Sequence, residues 1–132
     1  MADAVTSQKI VDGHRNVIYK LTNLSDGTGE SAVLKVDVSG LNAGLRGAAC
    51  TGVRILRVHY SVFGMNVSLI WDASTDVTAL VLQGDGCLDF TSFGGIPNNG
   101  GSGVTGDLLL TTAGHTANDT YSLVLELGKE YA

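Results

Sequence analysis

The stretch 53–81, VRILRVHYSVFGMNVSLIWDASTDVTALV, decides the fold class. In its first part Leu56, Val58, Tyr60 and Val62 share one parity, and Arg57, His59 and Ser61 share the other. Alternation of this kind marks a half-buried strand, because successive side chains point to opposite faces. Phe63-Gly64-Met65-Asn66 reads as a turn, with Gly64 free to take positive φ. The return strand places Val67, Leu69 and Trp71 on one face and Asn66, Ser68 and Asp72 on the other. Ala73-Ser74-Thr75-Asp76 reads as a second polar turn, followed by the apolar strand Val77–Leu82. The only tryptophan, Trp71, lies here, which predicts that this meander is the middle of the core.

Working outward, nearly every other segment has strand period. Ala4–Asp12 reads as an extended arm or an edge strand, in equal measure. Asn16–Asn23 alternates Val17, Tyr19 and Leu21 against Asn16, Lys20 and Thr22. Glu30–Ser39 alternates Ala32, Leu34, Val36 and Val38 against Ser31, Lys35 and Asp37. These two segments predict a long hairpin or a strand pair across two sheets. Gly40–Gly52 breaks the pattern and reads as a loop or as a short helix of about one or two turns around Leu41–Arg46, the best place in the chain for helix. Gln83-Gly84-Asp85-Gly86 reads as a turn and Cys87–Phe93 as a strand. Gly94–Gly106 has the composition of a flexible surface loop. Val104–Thr112 and Thr120–Leu127 complete the set, the last with Tyr121, Leu123, Leu125 and Leu127 inward. The expectation is an all-β fold, a two-sheet, jelly-roll-like β-sandwich of roughly eight strands with at most one short helix. Residues 1–132 are expected to form a single domain, with 1–12 as its N-terminal arm if that segment leaves the body.

The 132 residues suit one domain with a core large enough to need no staples. Eighteen glycines against one proline mean that Gly, Asn and Asp make the turns. A net charge of -5 argues against sequence-independent nucleic-acid binding and against a polybasic membrane-surface role. No run approaches the roughly 20 apolar residues that span a bilayer. The N-terminus shows neither a basic nor an apolar export region, so use without Sec export is expected, and the three glycosylation sequons are read as chance matches. The two cysteines, Cys50 and Cys87, are expected to be buried free thiols.

Chemistry is sparse. His14, His59 and His115 lack partners at metal-ligand spacing, and are read as a turn residue, a half-exposed strand residue and a solvated turn residue. No nucleophile elbow or phosphate loop is present, and Cys87 has no histidine nearby in sequence. Asp72 and Asp76, like Asp85 and Asp89, are read as turn-bracketing residues. Arg54 and Arg57, on opposite parities, are expected on different faces. No catalytic residue, metal ligand or cofactor is expected, and the protein is read as a non-enzyme.

Several stretches carry a resemblance. They are Val5-Thr6-Ser7-Gln8, Val11-Asp12-Gly13, the run Lys20–Ser31, Trp71-Asp72-Ala73-Ser74-Thr75-Asp76, Asn98-Asn99-Gly100, Gly103–Asp107 and Gly114–Tyr121. Together they resemble small structural proteins encoded among the virion genes of tailed bacteriophages. The resemblance implies a virion component, made in the host bacterial cytoplasm, and suggests a capsid decoration (cement) role with the major capsid protein as partner. It transfers no individual site residue. A homo-oligomer follows from that role, and a trimer would match the three-fold positions of an icosahedral shell. The residues read as candidate protein interface are Val5, Thr6, Ile10 and Val11 on the arm, Arg46, and Ile96, Asn98 and Asn99 on the Gly/Asn-rich loop. Alternatives are a neck, tail or fibre-attachment protein, and a carbohydrate-binding module using Tyr19, Tyr60, Phe93 or Tyr131.

Overall fold

A computed structural model describes residues 4–43 and 47–131. Among these the chain is all-β. It forms seven strands in one curled antiparallel sheet: β1 (Ala4–Asp12), β2 (Asn16–Asp26), β3 (Val33–Val36), β4 (Cys50–Trp71), β5 (Val77–Asp89), β6 (Leu108–Ala113) and β7 (Ala117–Tyr131). The order is β1-β2-β7-β4-β6-β3, with β5 paired to β4.

The organising element is β4, 22 residues long. On one side β5 follows it along both of its halves; on the other it pairs first with β7 and then with β6. The change of partner falls at Phe63–Asn66, where Phe63 faces Thr120 and Asn66 faces Ala113. The segment expected to be a hairpin turn is therefore a wide bulge inside one strand. Gly64 takes φ +79°, and a Cβ there would collide with the Asp119 carboxylate, so the bulge is seated against the β6–β7 turn. The Gln83–Gly86 turn is likewise absent: Gly84 and Gly86 pair with Val62 and Tyr60 inside β5. The true hairpin is Asp72–Asp76, where the Asp76 carboxylate accepts the Ala73 N–H at 3.1 Å, as a turn aspartate should.

Bulges also reset side-chain parity, because one extra residue exchanges inward and outward positions. A register shift between Ile55 and Arg57 leaves Val53 and Ile55 inward before it and Val58 and Val62 inward after it. Leu56, expected in the core, is only half-buried. Arg54 and Arg57, opposite Gly128 and Glu126, consequently share the outer face. A second shift between Leu34 and Val36 exposes Leu34 and turns Lys35 inward, the reverse of the simple alternation. Residues 16–39 form no hairpin: β2 pairs with β1 and β7, and β3 with β6.

The curl brings one face of all the longer strands onto a single core. Trp71, Tyr121, Leu21, Ile55, Leu69, Leu82, Leu108, Leu110, Leu123, Leu125 and Leu127 are all but fully buried there. Burying each such side chain stabilises the fold by about 1.5–3 kcal/mol relative to leaving it exposed. The Trp71 indole N–H finds no acceptor among the described residues. Of the loop or short helix read around Leu41–Arg46, residues 44–46 lie outside the described residues; a 3₁₀ turn at Val38–Gly40, capped by the Asp37 side chain, precedes it. The Gly94–Gly106 loop is anchored and not free: Ile96 exchanges two backbone hydrogen bonds with Ile55 (2.9 and 3.1 Å), and the Ser74 N–H donates to the Ser102 carbonyl at 3.0 Å. No helix among the described residues is long and apolar enough to cross a membrane.

Candidate functional site: an open strand edge and an outer-face trough

β1 is an unusual strand. It pairs with β2 along its length, yet eight of its nine residues, Ala4 to Val11, are exposed. Val5, Ile10 and Val11 are 39%, 48% and 43% exposed. Its second edge pairs with nothing among the described residues, as is also true of β3 and β5. Thr6 hydrogen-bonds Thr22 across the pair. β1 thus pairs as the first strand of its own sheet, and its apolar residues Val5, Ile10 and Val11 remain partly exposed. Its far end is pinned: Asp12 binds Lys129 at the end of β7, accepts the Asn42 N–H and pairs with Lys9 at 3.2 Å. Burial alone would raise the Asp12 carboxyl, but the hydrogen bonds from Lys129, Asn42 and Lys9 outweigh it and hold the group below its usual value.

The remaining interface candidates lie elsewhere. Ile96 is half-buried against the core beside Ile55, the Asn98 side chain accepts the Gly100 N–H at 2.8 Å, and Asn99 is exposed. β2, β7 and β4 stand between this loop and β1, so the two groups are not one patch. Arg46 lies outside the described residues.

Beside β1, the outer face of β2, β7, β4 and β5 carries a trough of about 310 Å³. Register explains its lining. Thr22, Ser122 and Ser61 are cross-strand neighbours in one row, with Asp85 next in line; Lys20, Val124, His59 and Cys87 make the next row. Short side chains in the middle (Ser61 and Ser122) leave the hollow, and the row beneath them, Gly86, Tyr60 and Leu123, has the core-facing parity, with Tyr60 packed against the core. One row further on, Leu24 and Phe63 flank Thr120, and they are 51% and 72% exposed. Cys87, expected to be buried, is exposed, with its Sγ 4.0 Å from His59 Nε2; Cys50 is buried, and burial pushes its thiol up. The Cys87–His59 neighbourhood depends on strand pairing 28 residues apart, and no local spacing announces it. Arg54 and Arg57 are engaged by carboxylates, Arg54 with Glu130 and Arg57 with Asp89 and Glu126.

A polar network that the sequence reading missed lies where the β2–β3 connection meets β6 and β7. Glu30 Oε2 meets Lys35 Nζ at 2.5 Å, while Glu30 Oε1 accepts the Tyr121 hydroxyl at 2.5 Å and the Asn23 amide at 2.7 Å. The Glu30 N–H donates to Thr112 Oγ1 (2.9 Å), which frees the Thr112 hydroxyl to donate to His115 Nδ1 at 3.1 Å. His115 Nε2–H then donates to the Thr28 carbonyl at 3.1 Å. His115 is a half-buried latch and not a solvated turn residue; its ring lies so close to Gly29 that a Cβ there would overlap it. Among the described residues no three His, Cys, Asp or Glu side chains converge as metal ligands would. Comparison with protein-family models, with curated proteins and with solved structures found no match to this chain.

Proposed function

We propose that this chain is a structural component of a tailed-phage virion. Its most fitting role is a capsid decoration protein that binds the major capsid protein on the outer shell and stabilises it, acting as a homo-oligomer, with a trimer suited to three-fold positions. The observation that carries this reading is β1: a nine-residue strand rich in β-formers whose residues Ala4 to Val11 are all exposed, with Val5, Ile10 and Val11 39–48% accessible. A strand with an open edge and uncovered Val5, Ile10 and Val11 is matched to a second chain that adds to the edge and covers those side chains. Repeated over many copies, modest contacts of this kind hold a lattice together. In its finer form the fold reads as a sandwich, with the β1-β2-β7 half and the β6-β3 half as the two packed layers. The resemblance of the turn and strand signatures to phage virion proteins supports the same reading.

The test is addition of purified protein to undecorated capsids. Saturable binding that raises the capsid melting temperature is expected. Val5→Lys with Val11→Lys, both at exposed positions, should abolish binding while leaving the free protein folded. Absence of binding at saturation overturns the decoration role, and a copy number near a dozen per particle would instead assign the neck or tail.

A further inference from the structure

The trough on the outer face adjoins β1, whose Thr6 hydrogen-bonds Thr22 of its lining, and we infer that it is a binding site for an acidic saccharide. Its polar groups are graded along one direction. At the β2 end stands Lys20, the one lysine among the described residues with no ion-pair partner; Lys9, Lys35 and Lys129 are all paired. The middle carries Thr22, Ser122 and Ser61 and the β4–β5 end carries His59, while Asp85, opposite Ser61 on β5, lies just outside the lining. Phe63, one row beyond Ser61 on the same face and outside the lining of the hollow, is 72% exposed; among the residues of described burial Phe93 is the other exposed aromatic.

Each group suits a different part of one ligand. An ammonium without a carboxylate partner takes the ligand's carboxylate by a charge-assisted hydrogen bond. A row of hydroxyls, followed by an aspartate that only accepts, suits the vicinal hydroxyls of a sugar ring. An exposed aromatic face packs on the apolar C–H face of that ring. The hollow, about 310 Å³, accommodates one or two sugar units. A bare anion would use Lys20 but leave Ser61, Asp85 and Phe63 idle, and a neutral sugar would leave Lys20 idle. The combination selects a uronate-type saccharide.

The full chain, labelled with ¹⁵N, is titrated with digalacturonate, with a neutral galactose disaccharide and with sodium phosphate. Digalacturonate should give saturable amide shifts at Lys20, Thr22, Ser61 and Ser122, with the neutral sugar about tenfold weaker. Lys20→Ala should bring the two sugars level. Ser122→Leu, at an exposed position that fills the hollow, should weaken both sugars, and well-dispersed spectra establish that each variant is folded. The inference is overturned by any one of three results: no saturable shift in the trough, phosphate binding as tight as digalacturonate, or undiminished preference for digalacturonate in folded Lys20→Ala. Binding to capsids has no bearing on any of these readouts.

Discussion

Glu30 and Lys35 form an ion pair inside the protein, with their side chains 5% and 4% exposed. The pair ties the β2–β3 connection to β3, and through Tyr121 and Thr112 it reaches β7 and β6. Two buried charges are tolerable here because the carboxylate oxygens also accept hydrogen bonds from Tyr121 and Asn23.

Removing one partner is therefore expected to be far worse than removing both. Lys35→Met leaves a buried carboxylate uncompensated and should cost about 3–5 kcal/mol in denaturant unfolding. The double variant Glu30→Met with Lys35→Met should recover most of that loss. If the two single changes simply add, the pair is not coupled as its geometry implies.

Asp12 gives the stability a definite pH dependence. Its carboxyl titrates lower in the folded chain than in the unfolded one, so on acidification the unfolded chain takes up the proton first. The stabilisation is complete above the unfolded carboxyl value of about 3.9 and is lost as pH falls through the lower folded value. Asp12→Asn should remove this component: unfolding curves collected from pH 7 to pH 2 should fall less steeply at the acid end than those of the parent. At pH 7 the same change should cost about 3 kcal/mol, since the buried Lys129 ammonium loses its charge partner.

Gly64→Ala is expected to destabilise by about 2 kcal/mol or more. About 1 kcal/mol is the cost of a left-handed non-glycine residue, and displacement of Asp119 adds to it. Asp119 accepts both the N–H and the hydroxyl of Thr116, so the β6–β7 turn should loosen as well. Faster amide exchange at Thr116 and Asp119 than at core positions of β7 would show it.

Trp71→Phe should be milder than the burial of Trp71 suggests. The indole N–H has no acceptor, and phenylalanine removes that unsatisfied donor, worth about 1–3 kcal/mol, while losing some packing. A change within about 1 kcal/mol of zero is expected by thermal unfolding. A loss near the 3–5 kcal/mol typical of a large aromatic truncated to alanine would mean that the donor is satisfied after all.

The all-β class was legible because alternation survives in any window shorter than a bulge. Asn16–Asn23 and Thr120–Leu127 contain no bulge, and their inward residues Val17, Tyr19, Leu21 and Tyr121, Leu123, Leu125, Leu127 are buried as their parity predicts. Parity failed where an extra residue was inserted, at Leu56 and at Lys35, because nothing local distinguishes a bulged strand from a regular one. Phe63-Gly64-Met65-Asn66 and Gln83-Gly84-Asp85-Gly86 have turn composition, yet the chain passes straight through both. Glycine serves a bulge as readily as a reversal, and only the partner strand decides which forms. Val5, Ile10 and Val11 could be singled out from sequence as β-formers near the N-terminus, whereas the trough rows, Lys20–Val124–His59 and Thr22–Ser122–Ser61, needed a register that no spacing encodes. Neither the Glu30–Tyr121 bond, across 91 residues, nor the His115–Thr28 bond, across 87, left any signal in local spacing.

β4 is built into both halves of the sheet, and this determines how the molecule can come apart. Neither half can melt while the other persists, because the same backbone supplies the central strand of each. Unfolding should be a single cooperative event, and refolding slow for a chain of this size, since the first half of β4 must wait for β7, some 60 residues later, before it is paired on that side.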